Sequence, residues 1–147
     1  MTLDRQAILR LIPHQGASCL IDACPEWDAQ TLVATTRAHL LSDNPLRQHG
    51  RLGPIVGAEM AMQAAALHGA LTAPHGGPPG YLAGLRDLDL ACERLDEPAY
   101  ETLRIEVFRE QADQAGLIYR FTVSTEAGTR FVSGRGTVML RASGTLS

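Results

Sequence analysis

Glu59 is the first residue whose surroundings demand a chemical account. It stands in Ile55-Val56-Gly57-Ala58-Glu59-Met60-Ala61-Met62-Gln63, the apolar opening of an alanine-rich segment. A carboxylate taken from water into such company is costly unless it is paired or protonated, and burial would raise its pKa toward the range of a general acid. The plainer reading is a solvent-facing carboxylate that favours the positive end of a helix. His49 lies ten residues upstream in Asn44-Pro45-Leu46-Arg47-Gln48-His49-Gly50, a loop feeding that segment. By itself it reads as a solvated loop histidine; with Glu59 it makes a base and acid couple that removes one proton while delivering another. His14, in Leu11-Ile12-Pro13-His14-Gln15-Gly16, is a second candidate base, its alternative being a hydrogen bond to the loop around Pro13. His68 reads as a favourable charge near a helix C-terminus, His75 as a linker residue and His39 as an exposed strand residue.

Other chemistries lack their residues. No HxH or HExxH occurs and no three histidines and carboxylates show ligand spacing, so no metal is expected. Gly134-Arg135-Gly136 is not followed by a helical pattern and reads as a bend in a strand, and neither Ser18 nor Ser133 has a nucleophile-elbow context. Cys19, Cys24 and Cys92 form an odd set without a CxxC pair, which suits reduced thiols; Cys24 beside Pro25 reads as a packed turn residue. A net charge of -3 without a basic run, together with one Trp, three Tyr and three Phe, argues against nucleic acid and for an aliphatic or small bound group. Met1 to Leu11 lacks the apolar stretch of a signal peptide, and no run approaches the roughly 20 apolar residues of a membrane span, so a cytoplasmic location is expected.

The elements that must position Glu59 and His49 follow from periodicity. The 147 residues, 45% of them hydrophobic, suit a single domain over residues 1–147. Asp4 to Leu11 predicts a short helix with Thr2 or Asp4 as its cap, stopped by Pro13. Ser18 to Ala23 and Leu32 to Leu41 predict a strand pair turning at Cys24 to Asp28. Ile55 to Leu71 has no proline and is the one long helix, with Pro54 suited to its first turn and small residues at Gly57, Ala61, Ala64 and Ala65 fit to press against a sheet until His68 interrupts the row. Ala73 to Gly80, with three prolines and three glycines, predicts a connection. Four strands follow, over Tyr81 to Leu90, Thr102 to Phe108, Leu117 to Ser124 and Arg130 to Leu140, with hairpin signals at Asp113 to Gly116 and Ala127-Gly128. Ala142 to Ser147 reads as a frayed tail. One helix packed on a mainly antiparallel sheet is the simplest architecture, an α+β fold.

Leu11-Ile12-Pro13-His14 with Leu20-Ile21-Asp22, Asp43-Asn44-Pro45, Gly57-Ala58-Glu59-Met60-Ala61-Met62-Gln63-Ala64 and Tyr81-Leu82-Ala83-Gly84 together resemble the hotdog-fold 3-hydroxyacyl-acyl carrier protein dehydratases. The likeness is to the subgroup found in aryl polyene and related polyketide-type clusters, and it covers nearly the whole chain. It implies a central helix wrapped by an antiparallel sheet of about five to six strands. It also implies dehydration of a 3-hydroxyacyl thioester to the trans-2-enoyl thioester without a cofactor. In such enzymes a loop histidine takes the proton alpha to the thioester and a helix glutamate, usually of the other subunit, protonates the departing hydroxyl. Glu59 is then the acid. The family's Gly-His-Phe-Pro stands here as Gln48-His49-Gly50-Arg51, so the base is His49, His14 or a histidine of a partner. Backbone N–H groups near Ile55, Val56 and Gly57 would receive the developing oxyanion, and Met60 and Gln63 are further candidate substrate-binding residues. Implied partners are an acyl carrier protein, met by Arg47, Arg51 or Arg86, and a second hotdog subunit in a homodimer or heterodimer. The rival readings are a hotdog thioesterase and a poorly active subunit that completes a partner's site.

Overall fold

The computed structural model describes residues 2–73, 80–113 and 116–140. The linker histidine His75 and the tail expected beyond Ala142 lie outside the described residues, as does most of the Pro/Gly connection. The first helix, α1 (Arg5–Leu9), starts where the Asp4 carboxylate accepts the Ala7 N–H at 2.9 Å. At its far end the Gln15 side-chain amide donates to the carbonyls of Leu9 (2.6 Å) and Ile12 (3.2 Å), the role expected of His14.

Strands β1 (Ala23–Trp27) and β2 (Thr31–Thr36) form a hairpin, but its first strand is not the expected Ser18 to Ala23: Gly16–Ser18 is a 3-10 turn, and β1 occupies the residues expected to form the turn. Cys24 and Pro25 belong to β1, an edge strand with a register irregularity between Ala23 and Glu26, which is where a sheet tolerates a residue without an N–H. The chain reverses at Asp28 instead, whose carboxylate accepts the N–H groups of Gln30 and Thr31 at 2.9 and 2.8 Å. β2 also stops earlier than the alternation suggests. The Asp22 carboxylate captures the Arg37 N–H at 2.7 Å and the Thr36 hydroxyl accepts that of Ala38 at 2.9 Å, turning Ala38–Leu40 into a 3-10 turn.

His39 consequently lies in that turn, fully buried, not on a solvated strand face. Neither ring nitrogen makes a hydrogen bond of good geometry, although the Glu101 backbone is nearby, and burial pushes its pKa down to about 4. The folded state therefore holds a neutral imidazole that the unfolded chain protonates near 6.5. That contribution to stability is complete above about pH 6.5 and is lost as pH falls toward 4, with buried His68 acting in the same direction. Urea unfolding of His39→Leu is expected to lose up to about 3 kcal/mol less than wild type between pH 6.5 and 4; parallel stability curves would disprove it.

The long helix, α2 (Val56–Thr72), has 17 residues and so spans roughly 25 Å. After it come β3 (Gly80–Leu90), β4 (Leu103–Ala112), β5 (Gly116–Thr125) and β6 (Arg130–Leu140). All six strands make one antiparallel sheet in the order β1-β2-β4-β5-β6-β3, so the connection through α2 carries the chain from one side of the sheet to its opposite edge. Gly134 and Gly136 sit inside β6, where Gly136 pairs with Leu85 of β3 and Tyr119 of β5, and Gly134 pairs with Phe121 of β5.

Burial of the helix face explains its small residues. A Cβ at Gly57 would stand 2.8 Å from Val132 Cγ2, and Ala61, Ala64 and Ala65 are buried against β2, β4, β5 and β6. His68 completes that face rather than interrupting it. Its Nε2 meets the Asp28 carbonyl at 2.8 Å and its Nδ1 the Tyr119 hydroxyl at 2.8 Å. A carbonyl only accepts, so Nε2 carries the proton and Nδ1 accepts from Tyr119, which is the neutral tautomer that burial favours. Among the described residues no helix is long and apolar enough to cross a membrane.

Candidate active site

The start of α2 is a tight turn in which the N–H groups of Val56, Gly57 and Ala58 bond the carbonyls of Gly53, Pro54 and Ile55 at 3.1, 2.9 and 3.0 Å. The N–H groups of Val56 and Gly57 expected to receive an oxyanion are thus already engaged. Val56 itself is 5% exposed, and Met60, another expected substrate contact, is fully buried in the core. Gln63 is a strap, its Oε1 accepting the Leu20 N–H at 2.7 Å and its Nε2 donating to the Ser18 carbonyl at 2.8 Å. It ties the segment after His14 to the helix.

Glu59 is exposed in the single chain, which corrects the expectation that the chain itself sequesters it. It makes no hydrogen bond or ion pair with His14 or His49. It is nevertheless the only Asp, Glu, Lys or Arg of α2. Ile55, Glu59, Met62 and Ala66 recur at three- and four-residue steps along one side of the helix, with Ile55 46% exposed, Glu59 and Ala66 exposed, and Met62 half-buried against β6. Met62 locates that side: its thioether lies where a Cβ on Gly136 of β6 would fall, beside Leu85 of β3. Glu59 lies about one turn earlier, and β3 is an edge strand of the sheet. That edge strand exposes Leu82, Leu88 and Leu90 at 41, 37 and 43%.

His49 is exposed at the tip of a tight reversal. Gln48 and Arg51 exchange backbone hydrogen bonds at 2.8 and 3.0 Å across it, and both residues at its tip have positive φ, His49 at 54° and Gly50 at 74°. Gly50 adopts this without penalty, whereas a histidine there is a strained residue held by its surroundings. What holds it is Arg47, one of the three arginines expected to meet a carrier protein. Its guanidinium donates to the carbonyls of Leu41 (2.8 Å), Gly50 (2.9 Å) and His39 (3.1 Å) and to the Asp96 carboxylate (3.0 Å). Arg51 and Arg86 remain exposed. His14 is half-buried with its Nδ1 enclosed and unpartnered.

Asp96 is the residue that sequence reasoning missed. Its side chain is 3% exposed and takes Arg47 and Arg94 as partners, and the paired guanidinium of Arg94 first of all holds its pKa well below the usual carboxylate range. Glu93-Arg94-Leu95-Asp96-Glu97 reads as a solvated charge run, and nothing in its spacing announces a partner 49 residues away. Grooves of about 210 Å³ at Asp89, Ala91 and Arg130 and about 560 Å³ at Arg37, Tyr100 and Glu126 touch none of Glu59, His49 or His14. Among the described residues no three His, Cys, Asp or Glu side chains cluster to hold a metal ion.

A single long helix laid across a wholly antiparallel six-stranded sheet of this order is the hotdog class of α+β domain. Within that class the chain belongs to the ApeP-like family, described as ApeP dehydratase, whose family model matches residues 6–143. A search of curated proteins found no match. Similar solved structures include the dehydratase heterocomplex ApeI:P from Xenorhabdus doucetiae, 19% identical over 92% of this chain and 91% of that one, with a TM-score of 0.77. A thioesterase from Haemophilus influenzae is 15% identical over 96% and 92%, with a TM-score of 0.68. A hypothetical thioesterase with coenzyme A from Streptococcus pneumoniae is 12% identical over 81% and 84%, with a TM-score of 0.59.

Proposed function

We propose that this member of a dehydratase family converts a 3-hydroxyacyl thioester on acyl carrier protein to the trans-2-enoyl thioester, with Glu59 as acid and His49 as base. The observation that carries the reading is the exposure of α2's one charged side chain among Ile55, Met62 and Ala66, which recur about it at three- and four-residue steps. The imidazole takes the proton alpha to the thioester carbonyl, the freed electron pair forms the carbon–carbon double bond, and the C–O bond at carbon 3 breaks as the carboxylic acid gives its proton to the hydroxyl, releasing water. The helix macrodipole favours the charge that develops on the carbonyl oxygen.

Proton transfer from Glu59 is favoured where water is excluded, and a second hotdog subunit seated on the β3 edge supplies that exclusion. The exposed leucines of β3 support such a seat, as does the likeness to a dehydratase heterocomplex. His49 in one subunit then serves Glu59 of the same or the facing subunit. The test is product analysis on a 3-hydroxyacyl thioester, using the chain with whatever hotdog partner co-purifies. An enoyl thioester with no free thiol is expected. Free thiol would identify a hydrolase, and no turnover alone or with the partner would leave a binding subunit.

A further inference from the structure

We infer that Asp96 is the positioning residue of the His49 turn, a buried carboxylate that grips both stems of the reversal at once. On the incoming stem its Oδ2 accepts from Arg47, whose guanidinium also holds the Gly50 carbonyl inside the turn. On the outgoing stem its Oδ1 accepts the Leu52 N–H at 3.2 Å, and the neighbouring Leu95 N–H donates to the Leu52 carbonyl at 2.7 Å. Arg94 fills the remaining acceptor sites with bonds of 2.9 and 2.6 Å, so the carboxylate is neutralised where it is buried. Leu52 and Leu95 are themselves fully buried, which anchors the clamp in the core.

The consequence is a catalytic geometry set from behind. His49 sits at a positive φ that an unrestrained chain would leave, because the left-handed conformation is costly for a residue with a Cβ. Three guanidinium bonds, one from Arg47 and two from Arg94, converge with the Leu52 bond on one carboxylate and keep the turn closed. Without the carboxylate, Arg47 and the Leu52 N–H lose their common acceptor and the reversal is free to relax. Asp96 lies buried behind the turn and acts through His49.

This inference rests on the base role proposed for His49, and the test separates the two. Dehydration is measured for Asp96→Asn, His49→Ala and the double variant, each with the co-purifying partner, alongside amide exchange at Arg51, whose N–H crosses the turn. Asp96→Asn is expected to lower kcat on the order of tenfold to a hundredfold with KM within about twofold, the size of effect that a misplaced catalytic group produces. Adding it to His49→Ala is expected to cost nothing further, whereas a general loss of structure would be additive. Exchange at Arg51 should accelerate. If Asp96→Asn folds poorly, Arg47→Lys, which keeps the charge but loses the fork to three carbonyls, is expected to give the same split between kcat and KM. Full turnover in His49→Ala would overturn the base role and the positioning role together. Loss of turnover in His49→Ala with kcat unchanged in Asp96→Asn or Arg47→Lys would overturn the positioning role alone.

Discussion

Glu59→Gln is expected to reduce dehydration by about a thousandfold, within the range of a lost general acid, while leaving the stability of the single chain within about 0.5 kcal/mol of wild type. Both halves follow from where the residue sits. The amide keeps the shape and the hydrogen-bonding capacity of the carboxylic acid but has no proton of suitable acidity for a departing hydroxyl. The single chain has little to lose, because Glu59 is exposed and makes no ion pair. The measurement is enoyl formation under single-turnover conditions beside urea unfolding of the same preparation. Undiminished turnover would remove Glu59 from the mechanism. A loss of turnover accompanied by a large loss of stability would make it a structural residue instead.

Gly57→Leu is expected to be the most damaging single substitution at the helix start, costing about 3 kcal/mol or more by overpacking. The first atom added would already stand 2.8 Å from Val132 Cγ2 and 3.2 Å from its Cβ, on branched side chains of a strand that cannot rotate away. The helix must then lift from β5 and β6 at the turn that carries Glu59, so activity should fall with stability. Gly69 in the same helix is the contrast, since nothing lies within 4 Å of its missing Cβ. Gly69→Ala is expected to gain about 0.5 to 1 kcal/mol from helix propensity. Urea midpoints that place the two variants side by side would refute the packing account of Gly57.

The elements whose periods are long and uninterrupted were legible from residue order. α2 was readable because seventeen positions without proline favour one conformation, and β6 because its ends are set by a hairpin glycine and by alternation. β1 and the end of β2 were not. Pro25 signals a turn locally, and only its place on a sheet edge makes a strand permissible. Thr36 to Leu40 continues an apolar alternation, and only the Asp22 carboxylate, fourteen and more residues away, diverts it into a 3-10 turn and buries His39.

The candidate site divides along the same line. Residue types and spacing singled out Glu59, His49 and the small-residue face of α2, because a charge among alanines and a glycine in a helix are costs that can be recognised without knowing the neighbours. The roles of Gln63, Arg47 and Asp96 were decided by tertiary structure alone. A glutamine, an arginine and an aspartate are each at home in water. Only the approach of the Ser18–Leu20 segment, the His49 turn and the Asp96 loop turns these polar side chains into internal cross-links. The exposure of Glu59 was decided there as well, since a helix pattern states which side is apolar but not whether a sheet of the same chain lies over it.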